Sequence, residues 1–184
     1  RSNVHQPPVS LQGAGGARLR NIECIRWPNG GGEVMALFRL SGNRETATVE
    51  LPEARRVYNL RTREDLGTVR RFTTEIIPNR ATFFGLLPAN APAPELTLAA
   101  ASVERGQVAT ASLSVPGASG DHAFRIRVRC GEQPLDWHDD VVIAGAEAEQ
   151  ITLPVALNDP VGEYTIDAIE LFTNRPTSAT LRVN

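Results

Sequence analysis

Alternation of apolar and polar side chains at every second residue is the dominant pattern along this chain. The segments 45–51, 107–115 and 150–157 each place apolar residues on one side and polar residues on the other. A period of two is typical of β-strands that bury one face. No comparable window carries the i, i+3, i+4, i+7 stripe of an amphipathic helix. The pattern therefore predicts an all-β protein built from short antiparallel strands.

The predicted strands fall into two groups separated by the proline-rich stretch 88–94. Its prolines cannot donate hydrogen bonds to a sheet, and they favour an extended spacer. Before the first group, Gln6-Pro7-Pro8 and the glycines of 13–16 indicate the tail of a linker from a longer polypeptide. We therefore divide the chain into a linker remnant, a small β-sandwich domain, a proline-rich linker and an immunoglobulin-like β-sandwich domain: 1–20, 21–88, 89–94 and 95–184.

The strand spacing favours two tandem antiparallel sandwiches over one large domain. Short strands separated by turns every 8 to 12 residues, seven of them in about 90 residues, are typical of an immunoglobulin-like sandwich. The first domain has predicted strands at 22–27, 34–40, 45–51, 55–61, 72–77 and 81–87. The second has them at 95–103, 107–115, 122–130, 138–143, 148–157, 163–172 and 177–183.

One predicted strand breaks its own alternation. Between Ala168 and Ile169 the apolar positions change parity, so the strand either carries a bulge or bends from one sheet to the other. We favour the bulge.

The charge balance makes two classes of partner improbable. With 19 basic and 21 acidic residues the net charge is −2, which leaves no strong field for nucleic acid or an anionic membrane. No apolar run reaches the roughly 20 residues that cross a bilayer, so no membrane insertion is expected. For the parent protein a periplasmic or secreted location is slightly favoured over others.

The cysteine content excludes a disulfide framework. The chain has 2 cysteines, and Cys24 and Cys130 fall in different predicted domains. Cys130 shares the apolar side of its strand with Val128, which predicts a buried free thiol acting as a small hydrophobe. A catalytic nucleophile is the alternative, but it needs a neighbouring base.

The segment 136–140 is the densest cluster of candidate metal ligands. It holds three carboxylates, Trp137 and His138, and a calcium ion could take several oxygens from such a loop. It lacks the glycine and closing glutamate of an EF-hand loop. We therefore favour a turn that leads into a strand, with Trp137 covering the sandwich edge, and we expect no metal and no cofactor.

The candidate carbohydrate contacts are three arginines and two tryptophans. Arg125, Arg127 and Arg129, the arginine ladder, alternate along one strand and face outward; guanidinium forks match the anions of an acidic polysaccharide. Cross-strand pairing with carboxylates is the alternative. Trp27 and Trp137 could stack on sugar rings, although packing in a core or at its rim is favoured for each.

Catalytic motifs are missing from the sequence. It contains no Gly-x-Ser-x-Gly, no His-Glu-x-x-His, no Cys-x-x-Cys and no P-loop. We therefore predict that the chain is not an enzyme by itself and name no catalytic residue.

The first predicted domain resembles the C-terminal sandwich modules of large bacterial glycoside hydrolases, including relatives of the family 42 β-galactosidases. The resemblance rests on EVMALFRL at 33–40, ATVELP at 47–52, VYNLR at 57–61, DLG at 65–67 and ATFFGLLP at 81–88. Asn59 stands where those modules usually have Asp. The resemblance implies a non-catalytic accessory role beside an upstream catalytic domain of the same polypeptide, and it carries over no catalytic residue.

The second predicted domain resembles bacterial immunoglobulin-like modules. The matching segments are PVALND at 154–159, GEYTI at 162–166 and ATLRV at 179–183. Two functions remain open at this point. One is a structural or assembly module of a glycoside hydrolase, and the other is an autonomous carbohydrate-binding or cell-surface adhesion module.

Overall fold

A computed structural model describes residues 9–29, 32–89 and 92–184, and over these ranges the protein is all-β, as predicted. Its helical segments there are two 3₁₀ turns, Ala14–Gly16 and Asp136–His138. The chain divides into two compact units, Arg1–Asn90 and Ala91–Asn184. Within the described ranges, no helix has the length and apolar character needed to cross a lipid bilayer.

The first unit is one antiparallel sheet of six strands in the order β1-β4-β6-β3-β2, with β5 paired to β4. The strands are β1 Ser10–Gln12, β2 Glu23–Asn29, β3 Gly32–Phe38, β4 Glu45–Asn59, β5 Glu64–Ile76 and β6 Thr82–Leu87. Because β2 lies at the end of this order, it tolerates Pro28, which has no N–H to donate.

The long strand β4 replaces the two predicted strands 45–51 and 55–61. Its register with β5 shifts between Glu50 and Arg55 around the exposed Pro52. The first half pairs with β1 and the second half with β6, so the strand has different neighbours on either side of the irregularity. A single sheet therefore supplies both sides of the first core: Val9, Leu11, Met35, Leu37, Ala47, Val49, Leu51, Val57, Phe72, Ile76, Phe84 and Leu86.

Part of the predicted linker 1–20 is structured, so that prediction is wrong from residue 9 onward. Val9 and Leu11 are 5% and 8% exposed and belong to the first core. β1 pairs with β4 from Ser10 to Gln12, because it offers an apolar side chain between two that face outward. Gln6-Pro7-Pro8, like Asn90 and Ala91 of the predicted linker 89–94, lies outside the described residues.

The second unit has two sheets that pack on one core. One sheet has the order β11-β10-β14-β15-β8, with β12 paired to β10, and the other has the order β13-β9-β7. The strands are β7 Glu95–Leu98, β8 Ser102–Val103, β9 Val108–Ser114, β10 His122–Cys130, β11 Gln133–Pro134, β12 Asp140–Ala144, β13 Glu149–Pro154, β14 Gly162–Glu170 and β15 Pro176–Val183.

The predicted strand 95–103 is divided between these sheets. β7 pairs antiparallel with β9, whereas β8 crosses over and pairs in parallel with β15. The alternating residues of all these strands meet in a core that includes Leu113, Phe124, Ile126 and Ile166, each fully buried.

The predicted bulge in β14 is wrong. The register of β14 runs without a shift against both β10 and β15. Alternation continues because Glu170, 5% exposed, takes the inward position and Ile169 faces outward. The Glu170 carboxylate accepts a 2.6 Å hydrogen bond from the Thr173 N–H, and its other oxygen lies 3.6 Å from His122 Nδ1. These contacts compensate the burial of a polar group.

A tyrosine side chain stabilises the turn that precedes β14 by a hydrogen bond. The Tyr164 hydroxyl donates to the Pro160 carbonyl at 2.8 Å, and burial raises the pKa of Tyr164 to about 12. Asp159 accepts the Ala156 N–H at 2.9 Å, and Gly162 adopts a φ of 145°, in the region that favours glycine. The connection into β14 is therefore held by side-chain hydrogen bonds at both ends.

Candidate functional site

An apolar patch covers the outer side of the first unit's sheet. Trp27 and Ile25, on the edge strand β2, are 48% and 42% exposed. Val34, Phe38 and Phe83 beside them are half-buried. We call these five residues the tryptophan face.

Strand register explains why these side chains share one surface. Trp27 lies opposite Val34, Val34 opposite Gly85, and Gly85 opposite Tyr58 across four neighbouring strands. Directly opposed residues of an antiparallel pair point to the same side of the sheet. The intervening residues, such as Met35, face the core instead.

The inner side of β2 carries an ion pair. Arg26 donates two hydrogen bonds to the carboxylate of Glu33, which is 7% exposed. These hydrogen bonds raise the pKa of Arg26, and burial raises the pKa of the neighbouring Cys24 thiol. The pair satisfies the buried carboxylate and holds the edge strand against β3.

The candidate metal loop 136–140 is a turn that leads into β12, as favoured from the sequence. Its polar side chains point to different partners: Asp139 pairs with Arg125, Asp140 accepts the Val141 N–H at 2.7 Å, and His138 lies against Asp159. Among the residues that the structure describes, no three His, Cys, Asp or Glu side chains are grouped to hold a metal ion.

Both tryptophans lie outside the two cores, so core packing does not hold for either. Trp137, in the 3₁₀ turn, is 59% exposed, and its ring contacts only the adjacent His138 among the described aromatic pairs. Trp27 lies in the first unit and Trp137 in the second.

The arginine ladder lies on the outer face of the second unit, as the alternation predicts. Arg125, Arg127 and Arg129 have side chains that are 47%, 53% and 47% exposed. The residues between them, Phe124, Ile126 and Val128, are buried. Because β10 is flanked by β12 and β14, the ladder runs along the middle of a sheet and not along its edge.

Two carboxylates accompany the three arginines. Arg125 donates to Asp139 Oδ2 at 3.0 Å, and Arg127 Nε lies 3.9 Å from the same oxygen. Arg129 Nε lies 3.7 Å from Asp167 Oδ2, and Asp167 also accepts the Ser178 hydroxyl at 2.6 Å. The cross-strand pairing with carboxylates is therefore present but incomplete, and recognition of an acidic polysaccharide stays a prediction.

Two buried histidine–carboxylate pairs escaped the sequence analysis. His122 pairs with Glu170, and His138 Nε2 lies 3.9 Å from Asp159 Oδ2. Burial lowers the pKa of His138, and the Asp159 carboxylate opposes that shift. The sequence carries one signal for the pair of His122 and Glu170. Glu170 stands at a position where the alternation requires an apolar residue.

The cysteines are free, and each is half-buried. Cys130 packs against the second core with its Sγ 3.9 Å from the Val161 carbonyl. The predicted apolar environment is thus present, while the burial is only partial.

A shallow hollow of about 410 Å³ lies between residues 118–121 and 143–149, lined by Asp121, Glu147 and Glu149.

Comparisons with solved structures find distant neighbours, among them a polysaccharide lyase and a glycoside hydrolase domain. No protein-family model matches the chain, and no curated protein does. A polysaccharide lyase shares 12% identity at a TM-score of 0.32, over 92% of this chain and 26% of the lyase. The glycoside hydrolase domain of Endo-D from Streptococcus pneumoniae R6 shares 9% identity at a TM-score of 0.34, over 94% of this chain and 37% of that domain.

These neighbours are a polysaccharide lyase and a glycoside hydrolase domain, and neither is described as a family 42 β-galactosidase. The chain spans about a quarter to somewhat over a third of their lengths. At such TM-scores the likeness identifies no functional residue of this chain.

Proposed function

We propose that the chain is a non-catalytic accessory module of a bacterial glycoside hydrolase and packs against an upstream catalytic domain of the same polypeptide. The observation that carries the proposal is the tryptophan face. An exposed tryptophan surrounded by half-buried apolar side chains is the composition of an interface anchor. The sequence resemblance of residues 22–88 supports the same role.

The strand β3, which contributes Val34 and Phe38 to this face, extends the same observation. In β3, Met35, Ala36 and Leu37 are 0%, 3% and 1% exposed, so this strand is apolar on both sides. A sheet with one face in water is expected to alternate apolar and polar residues. An apolar outer face gains about 25 cal/mol for each Å² that a partner covers, and a neighbouring folded domain would supply that cover.

The test is solvent access to Trp27 with and without the upstream catalytic domain. With Trp137→Phe in the present chain, acrylamide quenching reports on Trp27 alone. If the catalytic domain covers this residue, adding that domain in trans will reduce the quenching of Trp27. The matched control is Trp27→Phe, in which Trp137 reports and its quenching should not change.

A reading frame without a catalytic domain would overturn the proposal, as would equal quenching of Trp27 with and without that domain. The chain alone should also give no turnover of chromogenic glycosides. Two-carboxylate hydrolysis needs acids held about 5 to 10 Å apart in a cleft. Robust turnover, abolished by one Asp or Glu substitution, would contradict the accessory role.

The second candidate function is an autonomous carbohydrate-binding or cell-surface adhesion module. The exposure of Trp137 and of the arginine ladder favours it. A full-length gene that encodes a membrane or wall anchor, or many repeated sandwiches, would support this alternative. One that encodes a β/α-repeat enzyme would support the accessory module.

We also assign the second unit to the immunoglobulin-like sandwiches. Three observations support this assignment: the strand β8 that leaves one sheet to pair in parallel with β15, the two sheets on one core, and the Tyr164–Pro160 hydrogen bond. A tyrosine at the start of the penultimate strand that bonds to the backbone a few residues upstream is the corner found in such domains.

A further inference from the structure

We propose that the arginine ladder binds a linear polysaccharide that carries carboxylate or sulfate groups. The site is the outer face of β10 together with β14 beside it. The proposal does not depend on the docking of the first unit, because all of its residues lie in the second.

The spacing of the ladder suits a repeating ligand. Alternate residues of a strand are about 6.7 Å apart along the backbone, so Arg125, Arg127 and Arg129 follow one another along one side of β10. Their inward neighbours are fully or almost fully buried, which fixes β10 in place. An extended anionic chain laid along β10 could meet each guanidinium in turn.

Hydrogen-bonding capacity remains free in this row. A guanidinium has five N–H donors. Arg125 has a carboxylate at 3.0 Å, but Arg127 and Arg129 have theirs at 3.9 and 3.7 Å. Those two separations exceed the 2.7–3.2 Å range of an N–H···O hydrogen bond. Arg127 and Arg129 can therefore offer paired donors to an incoming carboxylate or sulfate.

The charges on this face leave one cation in excess. Two carboxylates, Asp139 and Asp167, are paired with the three ladder arginines. Glu163 and Arg182 lie opposite each other on β14 and β15, so their charges cancel. The Ser178 hydroxyl donates to Asp167 and competes with Arg129 for it. The face is therefore attractive to an anion without being basic enough to predict nucleic-acid binding.

Neutral groups beside the ladder suit the rest of a sugar chain. Thr165 lies opposite Arg129 and, on its other side, opposite Thr180. Hydroxyls at these positions can bond to sugar hydroxyls. Single exposed ion pairs contribute little, so binding requires several contacts along one polymer and not a single charged sugar.

The experiment measures binding of the full chain to four polymers at low ionic strength: polygalacturonate, dextran sulfate, neutral dextran and double-stranded DNA. We expect binding to at least one of the first two, weakening as salt is added. The polygalacturonate and dextran sulfate arms tell carboxylate from sulfate recognition. Failure of both, or equal binding to neutral dextran or to DNA, would overturn the proposal.

Four variants test the residues. Arg127→Gln and Arg129→Gln should each weaken binding about fivefold, the equivalent of one exposed ion pair. Asp139→Asn should tighten binding about threefold, because it frees Arg125 and Arg127 from their shared carboxylate. Arg71→Gln, in the first unit, is the control and should bind as the parent chain does.

The Asp139 variant separates recognition from a structural role. If Asp139 only stabilised the sheet, its loss would lower thermal stability and leave polymer binding unchanged or weaker. Circular dichroism melting of each variant checks the fold. No gain for Asp139→Asn, together with unchanged binding of both arginine variants, would show that the ladder is merely a solvated face.

Discussion

Strands β3 and β10 show how differently the two units use the outer side of a sheet. β3 is buried on both sides, with Ala36 3% exposed between Met35 and Leu37. β10 alternates strictly, with buried Phe124 and Ile126 around an exposed Arg125. The outer face beside β3 leaves Trp27 and Ile25 half exposed, so it gains free energy when another surface covers it. The outer face of β10 is lined by arginines, which are stable in water without such cover.

This contrast matters more for function than the shared strand content. The first unit offers a surface that gains free energy when water is excluded. The second offers charged groups that work only where an ionic ligand can reach them. A module with both could dock through one unit and bind through the other.

The largest effect should come from a large-to-small change in either core, and it should stay within one unit. Phe84→Ala removes a fully buried ring whose centroid lies 5.0 Å from that of Phe72. Phe124→Ala removes a fully buried ring from the second core. Each should cost about 3 to 5 kcal/mol. Denaturation followed with Trp27 or Trp137 as the single tryptophan reports on each unit separately.

If the cores are separate, Phe84→Ala will shift only the Trp27 transition and Phe124→Ala only the Trp137 transition. A common shift of both transitions in either variant would mean that the chain folds as a single cooperative domain.

A smaller loss should follow from Tyr164→Phe in the second unit. The variant keeps the buried ring but removes the donor to the Pro160 carbonyl. Loss of one such hydrogen bond costs about 1 to 2 kcal/mol. Urea unfolding monitored at Trp137 should show this decrease, and the Trp27 transition should not move. An unchanged midpoint would show that the corner hydrogen bond contributes nothing.

Acid should weaken the second unit more than the first. Burial lowers the pKa of His138 in the folded state, so the unfolded chain binds a proton first as the pH falls. The stability present above the unfolded pKa of about 6.5 is then lost down to the lowered folded-state pKa. His138→Asn should flatten this pH dependence of the Trp137 transition. If the variant and the parent chain show the same dependence of stability on pH, His138 is not the group responsible for the loss of stability in acid.

The smallest expected difference is between the two thiols. Cys24 and Cys130 are both half-buried, and burial raises the pKa of Cys24. Since the thiolate is the reactive form, the raised pKa should make Cys24 react slowly with a thiol reagent. Cys130 should also react slowly, because its packing against the second core limits access. Cys24→Ala and Cys130→Ala isolate each thiol for the measurement. Fast reaction of Cys130 would show that Val161 and the core leave it open to solvent.

Strict alternation made some of the fold predictable. β10 runs from His122 to Cys130, which is the predicted segment 122–130, because every second residue is apolar and Gly131 follows. β14 failed in detail because Glu170 occupies an inward position that a hydrophobicity pattern cannot assign to a carboxylate. Its burial depends on His122, whose position comes from strand pairing and not from local sequence.

The long strand β4 was missed for a related reason. Pro52 interrupts ladder hydrogen bonding, so the sequence predicts a break where the structure has a bend. The outward direction of the arginine ladder was predictable from parity alone. The tryptophan face was not, since its residues meet only through the register of β2, β3 and β6.

The bent hairpin of β4 and β5 also bears on the order in which the first unit forms. Asn59 and Glu64 are joined by a four-residue turn, closed by the Arg63 N–H donating to the Asn59 carbonyl at 2.7 Å. Such a short loop closes at little entropic cost, and the hairpin contributes Ala47, Val57 and Phe72 to the first core. In the second unit, Ser102 of β8 pairs with Arg182 of β15, which lies near the far end of the chain. Contacts close in sequence form faster than distant ones. The first unit can therefore begin its core from the local hairpin of β4 and β5. The second unit completes its core only after β15, its last strand, has paired with β8.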